Sequence, residues 1–252
     1  MHLEATLCQM RSLHLSTMAD SLQSRISRGD HHGVSPEDFL AILIQDEYSA
    51  RESRKLNRLI ATANFKPECA CIENVISSAA RGFQKKDVLP FTNSTWVQQA
   101  HNIVICGACG TGKTYLAEAI GLQACKMGFS TRKIRYKNLF EEINAARGTG
   151  LYLKCLQRLQ KTRVLILDDF LMCEVTSQEA SYLFEIIEER SQLGPLIVTT
   201  QYPLGQWHKR LPDPTIADAI CDRLAHTAIT INLRGESMRK TKRDSSSTDI
   251  DK

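Results

Sequence analysis

The stretch "NIVICGACGTGKTYLAEAIG" at 102–121 limits what this chain can fold into more than any other. Its apolar start, "NIVIC", predicts a short buried strand, and "TYLAEAIGLQACKMG" predicts a helix ending at Gly128. Between them, the segment from Gly107 to Thr114 matches the pattern G-x-x-x-x-G-K-[ST] without a mismatch, with Gly110 a further glycine at a free position. Glycines let backbone N–H groups converge on phosphate oxygens, with no side chains in the way. A lysine at this point puts a charge on β- and γ-phosphates, and a threonine hydroxyl reaches Mg²⁺. The helix starts at the loop, so the positive end of its dipole faces the anion. The residues expected around the phosphates are Gly107, Ala108, Cys109, Gly110, Thr111, Gly112, Lys113, Thr114 and Tyr115.

Cys106 and Cys109 lie within this loop, and Cys69 and Cys71 form the other close pair among nine cysteines. Zinc needs paired ligands at set spacings. Cys106 and Cys109 have no second properly spaced pair to complete such a site, and the start "MHLEATLCQM" has no basic-then-apolar leader. The cysteines therefore read as reduced small hydrophobes of a cytoplasmic protein. No apolar run approaches the roughly 20 residues of a membrane span. A 42% hydrophobic and 24% charged composition is that of a globular protein, and a net charge of +4 permits nucleic-acid contact without requiring it.

From about residue 101 onward, short apolar runs alternate with helical patterns. "STRKIRYK", "RVLILDDF" and "GPLIVTTQ" read as strands; "NLFEEINAAR", "GTGLYLKCLQRLQK" and "SQEASYLFEIIEERSQ" read as helices. This rhythm predicts an α/β fold with a parallel sheet covered by helices on both faces. Asp168 and Asp169 fall at the carboxyl end of a strand, where open α/β sheets bind ligands. Asp168 suits Mg²⁺ held through water, and Asp169 suits the orientation of an attacking water.

Ahead of this region the chain reads as all helix. Leu7, Met10, Leu13, Leu15 and Met18 recur at near-helical spacing before the break "SRGDHHG". Ser35, Pro36, Glu37 and Asp38 then make a strong helix start. Arg51, Arg54, Lys55 and Arg58 can share a helix face that tracks DNA phosphates. With Asp46, Glu47 and Glu52 among them, they also fit a solvated face. Lys154, Arg158, Lys161 and Arg163, in the helix-to-strand stretch before Asp168, are a second candidate DNA surface.

Taken in order, "GACGTGKTYLAEAIG", "VLILDDF", "DPTIADAICDRLAH" and "LRGESMRK" resemble the AAA+ ATPases, and within them the IstB-type transposition helpers related to DnaC helicase loaders. The resemblance covers nearly the whole chain. It implies a P-loop NTPase core at 67–239, a small helical DNA- or partner-binding domain at 1–66 and a disordered tail at 240–252. It implies that ATP and Mg²⁺ bind, and that ATP is hydrolysed at subunit interfaces of a ring or helical oligomer on double-stranded DNA. The implied partner is a transposase. A replicative helicase, served by a loader, and a nucleotide-gated DNA scaffold with negligible turnover are the alternatives. A monomeric small-molecule kinase would leave "DRL" and "GESMRK" without a purpose. Arg223 looks like the arginine that reaches a neighbour's nucleotide, and Arg239 like one acting on its own subunit's phosphates. Thr200 falls where a polar residue would sense the γ-phosphate, with Gln201 the adjacent alternative. Lys113, Asp169, Thr200, Arg223 and Arg239 are thus the expected catalytic set, with Thr114 and Asp168 at the metal.

Overall fold

The structure, a computed structural model, describes residues 2–66, 70–75, 78–225 and 228–238. Its internal contacts divide the chain into two units, 1–58 and 59–252. The division falls within a continuous helix, whose last residues belong with the second unit.

The first unit contains α1 (His2–Ser12), α2 (Ser16–Arg28) and most of α3 (Pro36–Thr62). The near-helical spacing from Leu7 to Met18 does not produce one helix, because His14 takes φ 59° and turns the chain between α1 and α2. The start of α3 is capped as its sequence suggests: the Asp38 N–H donates to Ser35 Oγ at 3.1 Å. Few apolar side chains are buried here, chiefly Leu7, Ala19 and Leu43, so polar contacts hold α3 to the α1–α2 turn. The buried Glu47 carboxylate accepts from the Met18 N–H at 2.9 Å, from Arg51 at 2.8 Å and from Arg54 at 3.3 Å. Asp46 accepts from Ser21 and Arg25. Hydrogen bonding by Arg51, with Met18 and the Arg51 and Arg54 charges, holds the Glu47 carboxyl below the usual range. Ser21 and Arg25 do the same for Asp46.

In the second unit, 3-10 turns at Ile72–Asn74, Ala79–Arg81 and Lys85–Phe91 and a short α4 (Thr95–Gln98) precede the sheet. Then come β1 (Ile103–Gly107), α5 (Lys113–Lys126), β2 (Thr131–Arg135), α6 (Tyr136–Gly148) and α7 (Tyr152–Lys161). β3 (Val164–Phe170), α8 (Ser177–Arg190), β4 (Leu196–Thr200), α9 (Pro214–Ala225) and β5 (Ile229–Leu233) complete the unit. All strand pairs are parallel, in the order β2-β3-β4-β1-β5.

The strands are almost wholly apolar because both sheet faces are covered. Val104, Leu165, Leu167 and Val198 face one core with side chains from α6, α7, α8 and α9. Their neighbours Ile103, Ile105, Ile166 and Ile197 face the other, against α5 and the aromatic residues Phe83, Phe91 and Trp96. Beside the first core, the fully buried Arg190 has no carboxylate hydrogen-bond partner among the described residues. It donates instead to the carbonyls of Leu159, Thr162, Arg163 and Pro195, tying α7, β3 and the approach to β4 to α8. Burial pulls its pKa down to about 10. Strand β4 lies between β1 and β3, so the carboxyl ends of three adjacent strands share one edge of the sheet. Among the described residues, no helix is long and apolar enough to cross a membrane.

Candidate functional site: a phosphate loop facing two aspartates

The loop between β1 and α5 fits a polyphosphate. Gly112 caps α5 at φ 91°, a left-handed conformation that turns the chain into the first helical N–H groups. Lys113 is buried at 6% exposure, and its ammonium donates to the Ala108 carbonyl inside the loop at 2.9 Å. Burial pulls its pKa below the ordinary lysine value, opposed by Cys109, Asp169, Cys106 and Asp168. A buried cation held mainly by a carbonyl is short of counter-charge, which a bound phosphate supplies. The open helix end, the Gly112 turn and the buried Lys113 all suit the same anion.

Facing the loop is a hydrogen-bonded group at the ends of β3 and β4. Thr114 Oγ1 donates to Asp168 Oδ1 at 2.8 Å, and Thr199 Oγ1 donates to the same oxygen at 2.6 Å. The Asp169 N–H donates to Thr199 Oγ1 at 3.0 Å. Asp168 is 3% exposed, while Asp169 is more open. Here β3 departs from regular pairing with β4 between Leu167 and Phe170, and Asp169 takes φ 59°. That irregularity re-aims the residue at the strand end, as bulges beside sites do. A hydroxyl and a carboxylate in contact beside a phosphate loop can together hold a divalent cation that keeps most of its water. Among the described residues no group of three or more His, Cys, Asp or Glu side chains can hold a metal by itself; Cys69, of the Cys69–Cys71 pair, lies outside them.

The expected site residues fall into distinct groups. Lys113, Thr114, Asp168 and Asp169 converge. Thr200 does not join them: it is fully buried, its hydroxyl donates to the Phe170 carbonyl at 3.1 Å, and it accepts the Tyr202 N–H. The polar residue of β4 that meets the acids is Thr199. Arg223, on α9, is paired within its own chain with Glu188 of α8 and stacks over the Phe184 ring at 5.0 Å. Arg239 lies outside the described residues. The segment before it is close to the loop, because the Met238 N–H donates to the Gly110 carbonyl at 2.9 Å.

Several of the expected DNA-contacting cations are committed internally. Arg51 and Arg54 bind Glu47, and Arg51 also donates to the His14 carbonyl. Lys55 lies 3.9 Å from Glu52, and Arg158 pairs with Glu142. Arg163 braces the carbonyls of Leu193 and Val97. Lys154 is exposed on α7. Arg58, at the end of the first unit, also has an interaction of its own.

A phosphate loop on β1, an acid pair on β3 and a polar strand end between them give this unit a P-loop α/β fold of the AAA+ type. The fold is shared with the DnaC helicase loader (TM-score 0.55, 19% identity, covering 66% of this chain and 97% of that one). It is shared also with DnaI (TM-score 0.58, 20% identity, 68% and 96%). The chain belongs to the IstB-like ATP binding protein family, whose profile matches residues 8–246. It is 34% identical over 238 residues to the insertion sequence ATP-binding protein y4pL of Sinorhizobium fredii, covering 94% of this chain and 97% of that one. It is 32% identical to the ATP-binding protein of insertion sequence IS1162 from Pseudomonas fluorescens, covering 83% and 93%. The chain is therefore an IstB-like ATP-binding protein.

Proposed function

We propose that this protein hydrolyses ATP, with Mg²⁺, at contacts between copies of itself assembled on double-stranded DNA, and thereby targets or stimulates a partner transposase. The observation that carries the reading is the Thr114–Asp168–Thr199 hydrogen-bonded group beside the buried Lys113. The insertion-sequence relatives supply the transposition context.

In this reading, Lys113 neutralises the β- and γ-phosphates, and the Thr114 hydroxyl and Asp168 would hold a Mg²⁺ ion, which would supply further positive charge there. Asp169 orients a water and takes its proton as the water oxygen attacks the γ-phosphorus. The bond to the bridging oxygen breaks, and its electron pair leaves on ADP. Arg223 exchanges Glu188 for the γ-phosphate in a neighbouring subunit, where fixed positive charge stabilises the transition state. Arg239 acts on the phosphates of its own subunit. Loss of the γ-phosphate then releases the neighbour and disassembles the complex.

Phosphate release measured with and without DNA and transposase tests the proposal. Lys113→Ala should abolish ATP binding. Arg223→Ala should bind ATP normally but lose about 10³-fold in assembled-state turnover. Normal hydrolysis by Lys113→Ala would remove the loop from the mechanism, and unchanged turnover by Arg223→Ala would remove the trans contact. Pull-down with a transposase and with a replicative helicase separates the transposition role from a loader role.

A further inference from the structure

Arg81 approaches the phosphate loop from a segment that carries no motif. It ends the 3-10 turn Ala79–Arg81, closed by its N–H to the Ser78 carbonyl at 3.0 Å and followed by a bridge between Ser78 and Phe83. Phe83 is buried in the sheet core, and the Arg234 N–H, just past β5, donates to the Arg81 carbonyl at 2.8 Å. The backbone of Arg81 is thus fixed by the core and by β5, independently of the loop. Its side chain crosses to the loop, where Nη2 donates to the Thr111 carbonyl. A methyl group placed on Gly112 would lie 3.4 Å from that same nitrogen. The guanidinium therefore borders the two residues that lead into the Lys113 helix end.

We infer that Arg81 is a nucleotide-binding residue that donates to the phosphate oxygens common to ATP and ADP. A guanidinium has five N–H donors in a planar fork, so it can keep the contacts it already makes, the Thr111 carbonyl among them, while turning a donor to a phosphate. Its permanent charge adds to that of Lys113, whose ammonium is partly spent on Ala108. The position beside Thr111 and Gly112, where loop N–H groups cradle the α- and β-phosphates, makes the contact independent of the γ-phosphate. Arg81 thus differs in role from Arg223 and Arg239, both of which are assigned to hydrolysis.

The inference rests on the loop being the ATP site, and Lys113→Ala tests that separately by abolishing binding of both nucleotides. Titration of the full-length protein with fluorescent ATP and ADP should show Arg81→Ala weakening both by about 10- to 100-fold and by equal factors. Arg81→Lys, which keeps the charge, should recover much of the loss. Arg81→Gln, which keeps a donor for the Thr111 carbonyl without the charge, should not. Thermal melting without nucleotide reports whether the unit remains folded; if Arg81→Ala melts early, the comparison of Lys with Gln decides. The inference is overturned if Ala or Gln binds like the unaltered protein, if Lys does no better than Gln, or if ATP is weakened and ADP is not. Retained binding by Lys113→Ala would instead overturn the ATP site itself.

Discussion

Replacing Gly110 with alanine separates what the loop motif permits from what this fold permits. Gly110 occupies one of the motif's four unspecified positions, so the pattern alone accepts any residue there. In the structure Gly110 takes φ 83°, and a Cβ on it would lie 2.1 Å from Ser237 Oγ, 2.7 Å from Ser237 Cβ and 3.1 Å from Ser237 Cα. Holding alanine in the left-handed region costs about 1–2 kcal/mol. Ser237 must also move, which breaks the hydrogen bond from Met238 to the Gly110 carbonyl, worth about 1 kcal/mol. The sum, about 2–3 kcal/mol, lowers the melting temperature of a unit of this size by about 4–12 °C. Weaker ATP binding should accompany it, since the same residues shape the loop. Ser237→Gly in the same chain should return about 1 kcal/mol, because it removes the two closest atoms and leaves the backbone strain. Thermal and urea denaturation with ATP titration measure all three quantities. A Gly110→Ala protein within about 0.5 kcal/mol of the original, a shift typical of neutral surface changes, would refute the reasoning. So would a penalty unchanged by Ser237→Gly.

Other perturbations follow from the same geometry. Thr199→Val removes a hydrogen bond to Asp168 and the acceptor of the Asp169 N–H. It should cost about 1–3 kcal/mol in urea denaturation and slow ATP turnover at least about tenfold; Thr200→Val should cost stability but spare turnover. Arg190→Met leaves four carbonyls without their donor and should destabilise the second unit by about 3 kcal/mol in the same assay. Arg190→Lys should not restore it, since a single ammonium cannot reproduce the guanidinium's planar fork. The depressed Glu47 and Asp46 carboxyls stabilise the helical unit fully above the ordinary carboxyl pKa values of about 4. That contribution is lost as pH falls through their lower folded values. Circular dichroism during acid titration should show helix loss below about pH 4, and Glu47→Gln should flatten that transition.

The sheet and the phosphate loop were legible because their signals are local. Strands buried on both faces read as apolar runs, and the loop's glycines and lysine recur at fixed offsets. Thr199 was not legible in the same way. Two adjacent threonines end β4, and which one meets Asp168 depends on the irregular pairing of β3 with β4, a property of two strands together. The basic residues of α3 were visible as charges, but Glu47 claims Arg51 and Arg54 through packing against a turn many residues away. Arg81 lies in a stretch of short 3-10 turns with no periodicity, so its contact with the loop appears only after β5 fixes its backbone. His14 broke a helical pattern because spacing alone carries no information about a left-handed turn.

The position of β1 has a consequence for how the site comes into being. The strand that carries the phosphate loop is the first of the sheet to be made, yet its two neighbours, β4 and β5, are the last. Met238 and the backbone anchor of Arg81 come from still later in the chain or depend on it. A growing chain that has reached only β3 therefore holds the complete loop sequence with no strand to seat it. Nucleotide cannot guide the early steps of folding, and the cradle closes late, through contacts that span most of the unit and whose loop-closure entropy must be overcome first. Synthesis interrupted before residue 238 should yield chains that contain every residue of the motif and bind ATP poorly.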